Sequence, residues 1–351
     1  MNQVQYPLRI GVIGCGNISY WTHLREIPRV TGARLIAASD PDPTARDRAQ
    51  RLTKIPIHAS SESLLARDDI EAVVIAAPSG LHASLAVNAA RSGKHVYLEK
   101  PIATTMLEAD SVTTAVTQAR IKAAVGFNRR CHPAVEQART LLASGRLGSV
   151  RAVQMVFSEP ADPTGGTPWR QSRRLGGGVL LDLASHHVDL LRWILGTEIT
   201  HVAAGVDNHL CEADTAWIAL TLAGGITATG YYSSAAGRAD RLTFICERGI
   251  LTVDRFQPRP RMQVSRRFGY GVRQAFVPFS RAGLGWQLRR WWRPSWESSY
   301  RRALTQFVTQ CQGGESCLAT MDDGVKALRV ILTAERAAAE GRRLGIDPGA
   351  P

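Results

Sequence analysis

Leu8-Arg9-Ile10-Gly11-Val12-Ile13-Gly14-Cys15-Gly16-Asn17-Ile18-Ser19 is the stretch on which the reading of the fold turns. Its apolar first half reads as a buried strand, and the glycines open a tight turn ahead of a helix. Such a turn lets backbone approach a pyrophosphate, whose charge then lies against helix N–H groups. Ser19 takes the place of the third small residue, which loosens the expected helix–strand packing and leaves the anion site in place. Asp40 closes the next apolar run, Leu35 to Asp40, about 20 residues further on. A carboxylate there accepts hydrogen bonds from a ribose diol and repels a 2′-phosphate, so NAD is expected ahead of NADP. A bare glycine turn is the plainer alternative, and the strand before and helix after argue against it.

Outward from that turn, apolar runs at Ala72 to Ala77, His95 to Leu98 and Ala123 to Gly126 alternate with helical spacing over Leu81 to Ser92 and Thr105 to Arg120. This alternation implies an α/β domain with a doubly wound parallel sheet over residues 1–126. From residue 150 the rhythm changes. Val150 to Glu159, Ile199 to Val206, Thr215 to Leu222, Ile226 to Ser233, Leu242 to Glu247 and Ile250 to Asp254 read as strands, with hairpin signals at Gly224-Gly225 and Arg248-Gly249. A helix from about Val179 to Leu195 stops at Gly196, and residues 298–312 and 322–341 read as further helices. Residues 127–351 are therefore expected to form an α+β domain, an open, mostly antiparallel sheet with helices on one side.

Composition excludes several classes. A chain of 351 residues suits two domains. No run reaches the about 18 apolar residues that a membrane span needs. The polar start, Met1 to Leu8, runs straight into a strand, which points to a cytoplasmic protein. Six scattered cysteines without a C-x-x-C pair suggest reduced thiols, and the nine histidines show no metal-ligand rhythm, so no metal is expected. The net charge of +13 would suit a nucleic-acid partner, but residues 255–302 hold twelve arginines and one acid, Glu297. The rest is nearly neutral, so nucleic acid is not expected.

Three further stretches carry chemistry. Pro78-Ser79-Gly80-Leu81-His82 precedes Glu99-Lys100-Pro101 at a strand end; Gly126-Phe127-Asn128-Arg129-Arg130 follows; then Trp169-Arg170, Gly176-Gly177-Gly178, Asp182, His186 and Asp189. In this order they resemble the glucose–fructose oxidoreductase / inositol dehydrogenase (Gfo/Idh/MocA) family over nearly the whole chain. The resemblance implies a Rossmann domain, an open sheet domain, and chemistry in the cleft between them. It implies catalytic roles for Lys100, Asp182 and His186, and dinucleotide contacts from Gly14, Gly16, Asn17, Ile18, Asp40, Pro78, Ser79, His82, Glu99 and Lys100. Trp169 and Arg170 match a pair near the nicotinamide in several members. Asn128, Arg129 and His186 are expected to meet the substrate. Ala184 stands where the family often has glycine.

The chemistry agrees with those assignments. Oxidising a secondary alcohol needs a base for the hydroxyl proton, and histidine titrates near neutrality. Asp182 and His186, four apart on a helix, are expected to share a face. A lysine beside the reacting oxygen would stabilise developing alkoxide. The plainer readings are a solvated Lys100 and a structural His186; the strand-end position and the helix-face pairing weigh against them. His187 and Asp189 read as either structural or supporting residues, and His23 and His132 as structural. The whole reading requires the Lys100 ammonium and the His186 imidazole to converge from separate halves of the chain.

The expected activity is hydride transfer to or from a secondary alcohol or ketone carbon of a sugar, sugar derivative or cyclitol. Two alternatives stand beside it: an NAD-assisted glycoside-cleaving enzyme of the same fold, and a non-catalytic NAD-bound regulator. Arg129, Arg130, Arg170, Arg173 and Arg174 hint at an anionic group on the substrate. Residues 255–302 also hold Trp286, Trp291, Trp292 and Trp296 among their arginines. This mixture suits a subunit contact in a homo-oligomer (dimer or tetramer), an anionic membrane surface, or a sugar or nucleotide-sugar ligand.

Overall fold

A computed structural model describes residues 6–160, 168–265, 272–292 and 297–347. They form two compact units, one of residues 1–128 with 299–325, the other of 129–298 with 326–351.

In the first unit, strands and helices alternate as β1 (Leu8–Ile13), α1 (Leu24–Glu26), β2 (Ala33–Ser39), α2 (Pro43–Thr53), β3 (Ile57–His58), α3 (Ser61–Leu65), β4 (Ala72–Ile75), α4 (His82–Arg91), β5 (His95–Leu98), α5 (Met106–Ala119) and β6 (Ala123–Val125). The sheet is parallel with order β3-β2-β1-β4-β5-β6. Its order reverses between β1 and β4, and ligands of such sheets bind beyond the strand ends at that point. Val12, Val73, Val74, Val96 and Leu98 are fully buried, as expected for a sheet covered on both faces. Local signals set the helix starts. Asp42 caps α2 ahead of Pro43, and Thr105 with Glu108 makes a capping box on α5.

The second unit begins with α6 (Pro133–Ala143) and β7 (Val150–Ser158), followed by α7 (Ser185–Leu195), β8 (Ile199–Asp207), β9 (Thr215–Leu222), β10 (Thr227–Ser233), β11 (Ala239–Cys246), β12 (Gly249–Asp254), β13 (Arg261–Ser265), β14 (Val272–Ala275) and α8 (Arg281–Trp292). The chain then runs through α9 (Ser299–Cys311), α10 (Met321–Glu340) and β15 (Leu344–Gly345). The sheet order is β14-β13-β12-β11-β7-β10-β9-β8-β15, antiparallel except where β7 meets β10. One face is apolar and buried through Met155, Phe157, Leu242, Phe244 and Leu251; the other carries Trp217 paired across strands with Tyr231, both exposed. The expected fold class is the one observed.

Several details correct the sequence reading. Residues 299–325 were assigned to the second domain, yet they complete the first. The buried face of α9 (Ala303, Leu304, Phe307, Val308) needs a core, and Phe307 meets Tyr97 of β5 edge-on at 5.6 Å. Asn128, where the chain leaves the first unit, donates to Ser299 Oγ at 2.8 Å, where the chain re-enters it. Strands β3, β13, β14 and β15 were not expected, nor were α2, α3, α6 and α8. Within the arginine-rich segment, residues 266–271 and 293–296 lie outside the described residues; Trp286 is buried on α8 against His132. No helix among the described residues is long and apolar enough to cross a membrane.

Candidate active site

The glycine turn leaves β1 at the sheet's reversal point. Gly14 has φ +95°, and a Cβ there would stand 2.5 Å from the Ala76 carbonyl oxygen. A Cβ on Gly16 would meet nothing within 4 Å. The turn is thus packed on one side and open on the other, where a pyrophosphate needs room in front of the N–H groups that begin the helix. Asp40 lies beside it: its carboxylate accepts from the backbone N–H of Cys15 at 2.7 Å and of Asp42 at 2.8 Å. These residues fit a dinucleotide held by its phosphates and one ribose.

Two arginines that sequence reasoning passed over share this corner. Arg46 donates to the Asp40 carbonyl at 3.0 Å. Arg48 reaches Asn17 Oδ1 and the Cys15 carbonyl at 3.3 Å and stacks over Tyr20, 4.4 Å from the ring centroid. The signal available was their place in the first turns after Asp40, where cations meet the ribose end of a dinucleotide. Cys15 is sealed in; burial, then the Asp40 charge, pushes its thiol up to about 12.

At the ends of β4 and β5 the structure adds to expectation. Ser79 is buried and Pro78 exposed. His82 and Glu99, expected to touch the dinucleotide, also meet protein groups: both His82 ring nitrogens and Glu99 Oε1 have protein partners. The His82 ring nitrogens lie 2.6 Å from the Pro101 carbonyl oxygen and 2.9 Å from that of Ala77. Burial pushes this imidazole below its ordinary value against the pull of those carbonyls. Glu99 Oε1 lies 2.8 Å from His23 Nε2, and a Cβ on Gly126 would sit 3.0 Å from Oε2. The two side chains brace the strand ends from within. They hold the turn that carries Lys100, whose peptide bond to Pro101 is cis.

In the second unit the glycine run does structural work. Gly176 and Gly178 have φ of +92° and +90°, and a Cβ on Gly177 would come 2.3 Å from the Arg170 carbonyl oxygen. This close approach brings the Trp169–Arg170 turn onto the following helix. Arg170 lies over Trp169, 5.4 Å from the ring centroid, and 3.7 Å from Asp182 Oδ2.

That helix does not begin as an α-helix. Leu180–Ala184 wind as a π-helix and α7 takes over at Ser185, ending at Gly196 in the left-handed region. The shared-face argument for Asp182 and His186 assumed 100° per residue throughout; a π turn with its i→i+5 bonds departs from that geometry. Asp182 is half-buried and His186 buried, with the Phe157 ring 6.2 Å from the imidazole.

Behind His186 lies a buried charge network. His187 Nε2 lies 3.0 Å from Asp240 Oδ1 and Nδ1 lies 3.4 Å from Tyr232 Oη; burial holds this ring below its ordinary value. Asp240 also pairs with Arg129 and, at 2.8 Å, with Arg255. Desolvation opposes its charge, but Arg129, His187 and Arg255 outweigh that and bring it down to about 2. Asp189 takes Arg130 through two bonds of 2.9 and 2.5 Å. His187 and Asp189 are thus each held by a buried charged partner, Asp240 and Arg130, which suits a structural or a supporting role.

Four of the five arginines that hinted at an anionic substrate lie beside carboxylates, and the fifth, Arg174, is exposed. Arg129, expected to meet the substrate, is buried against Asp240 and lies 3.9 Å over Phe157. Arg130 has Asp189, Arg170 has Asp182, and Arg173 has Glu335 at 2.6 Å. Asn128, the other expected contact, is buried, and its Nδ2 donates to Ser299 Oγ. Among the described residues, no three His, Cys, Asp or Glu side chains gather as a metal site would require.

Residues 8–127 match the model of the oxidoreductase family, NAD-binding Rossmann fold, and residues 135–252 that of the GFO/IDH/MocA C-terminal domain. The chain is 27% identical over 348 residues to an inositol 2-dehydrogenase of Rhizobium meliloti (strain 1021), covering 97% of this chain and 99% of that protein. It is 33% identical over 188 residues to a levoglucosan dehydrogenase of Pseudarthrobacter phenanthrenivorans, covering 53% of this chain and 48% of that one. An oxidoreductase domain protein from Kribbella flavida superposes with a TM-score of 0.84 at 25% identity, covering 97% of this chain and all of the other.

Proposed function

From the premise that the chain belongs to the GFO/IDH/MocA oxidoreductase family, we propose that it oxidises a secondary alcohol, or reduces the matching ketone, on a sugar, sugar derivative or cyclitol, using NAD. The observation that carries this reading is the turn at Gly14–Gly16, packed on one side and open on the other, with the Asp40 carboxylate beside it. Relatives named for inositol and levoglucosan oxidation support the substrate class.

In this reading Gly16, Asn17 and Ile18 present backbone to the pyrophosphate, and Asp40 holds the adenosine ribose. NAD supplies the hydride-accepting carbon. His186 takes the hydroxyl proton, Asp182 favours the charged imidazole, and Lys100 stabilises negative charge on the substrate oxygen. Trp169 and Arg170 carry the nicotinamide contact. That Arg129, Arg130, Arg170 and Arg173 lie beside carboxylates supports a substrate uncharged at its reacting end. The exposed Trp217–Tyr231 face of the nine-stranded sheet is the surface we assign to a homo-oligomer contact. The six scattered cysteines, without a C-x-x-C pair, accord with a reducing compartment, here the cytoplasm.

A screen of polyols and cyclitols with NAD, read by NADH absorbance, tests the assignment. Net accumulation of NADH is the expected result; product formation without it would point to transient oxidation and glycoside cleavage. Lys100→Met and His186→Asn should each lower kcat by at least about a hundredfold, the scale of a lost acid–base or electrostatic group, while NADH affinity stays near wild type. Turnover retained by both variants would remove these residues from the mechanism.

A further inference from the structure

Arg255 and Ser299, near the two ends of the arginine-rich segment, belong to the contacts described above; the described residues between them have an unusual surface. Phe276 is 77% exposed, Phe279 40%, Leu284 50% and Leu288 57%. Leu284 and Leu288 lie one turn apart on α8 with Arg281 on the same stripe and Arg289 beside it, while Gly283 and Trp286 turn inward. Arg259 holds the neighbouring loop: its guanidinium stands 5.2 Å from the Phe276 ring and 4.3 Å from that of Phe279, and it donates to the Val277 carbonyl at 2.6 Å. Gln137 of α6 donates to the Pro278 carbonyl at 2.7 Å. The phenyl rings are therefore presented by an anchored loop. Arg261, Arg273, Arg281 and Arg289 are all exposed.

We infer that this face, Phe276–Phe279 with the outer stripe of α8, docks the protein onto an anionic lipid bilayer. Large apolar side chains set among arginines match a headgroup boundary, which takes the rings and leucines while its phosphates and carboxylates meet the guanidiniums. Nucleic acid would reward the arginines but give leucines nowhere apolar to go. A second copy would set the exposed Arg261, Arg273, Arg281 and Arg289 against their own copies across a two-fold axis, and like charges would oppose the contact. Anionic lipid complements the charge and the apolar residues together. Docking there would bring the enzyme to substrates at a membrane surface without adding any residue to its chemistry.

The test is co-sedimentation of the full chain with phosphatidylcholine vesicles, with and without phosphatidylserine, at low and high salt. Binding is expected only with phosphatidylserine. Neutralising one surface arginine, as in Arg281→Ser, should weaken it about fivefold, and added salt should weaken it further. Leu284→Glu/Leu288→Glu should lower it at least tenfold. Both leucines are exposed, and an unchanged circular dichroism spectrum and melting temperature confirm that this variant is folded. Three results would overturn the inference: wild type left in solution with both vesicle types; the double variant binding as wild type does; or, in parallel measurements, Leu284→Glu/Leu288→Glu abolishing self-association or oligonucleotide binding instead of vesicle binding.

Discussion

Two alanine substitutions two residues apart should fail in opposite ways. At Gly14 the φ of +95° and a Cβ 2.5 Å from the Ala76 carbonyl oxygen act together. The positive φ costs about 1–2 kcal/mol for a side-chain-bearing residue, and overpacking against fixed backbone adds about 1–3 kcal/mol. Gly14→Ala should therefore lower the melting temperature of the ligand-free protein by roughly 10 °C, at about 2–4 °C per kcal/mol for a domain of this size. At Gly16 the added carbon meets nothing within 4 Å. Gly16→Ala should leave the ligand-free melt unchanged, within about 0.5 kcal/mol, yet raise the NADH dissociation constant at least about tenfold by filling the space a phosphate approaches. Thermal melts without nucleotide and NADH fluorescence titrations separate the two. Wild-type NADH affinity in Gly16→Ala would refute the claim that the turn's open side is the phosphate site. An unchanged melt in Gly14→Ala would refute the close packing against Ala76.

The remaining expectations concern charge and burial. Asp40→Ser should raise the NADP-to-NAD ratio of kcat/KM at least about tenfold, because Arg46 and Arg48 remain beside the vacated carboxylate position; an unchanged ratio would take Asp40 out of cofactor selection. Asp240 titrates at about 2 in the folded protein and near 3.9 when unfolded, so its contribution is present above about pH 4 and lost as pH falls through 2. Asp240→Asn should remove that acid-limb dependence from urea denaturation curves and, by leaving Arg129 and Arg255 without their carboxylate, destabilise by about 3–5 kcal/mol at neutral pH. Cys15, buried and pushed up to about 12, should resist alkylation at pH 8 until the chain unfolds, as peptide mapping after iodoacetamide would show.

What could be read from the sequence was whatever residue type and spacing encode locally. Leu8–Ile13, His95–Leu98 and Thr215–Leu222 begin and end where their apolar patterns do, and Gly196 ends its helix as glycine at a C-cap should. Strands β13 and β14 were hidden because arginines interrupt their alternation. The π turn at Leu180–Ala184 was invisible because the same residues can bond i→i+4 or i→i+5, and tertiary packing chooses between them. The amphipathic pattern of 298–312 showed that a helix needs a core without showing which one. At the site, sequence identified the chemical types but not their partners: His82 and Glu99 face carbonyls and His23, and Arg129 faces Asp240. Long-range pairing of this kind leaves no periodic trace.

The return of α9 to the first unit bears on how the protein is made. A ribosome releases Tyr97 long before it releases Phe307, and roughly 170 residues of the inserted unit must emerge between Asn128 and Ser299; at about 5–20 residues per second this takes roughly ten to thirty seconds. Throughout that interval the nascent parallel sheet shows one unfinished apolar flank. A gene shortened to its first 128 codons would encode a sheet without the apolar cover that α9 supplies, and we expect that fragment to aggregate.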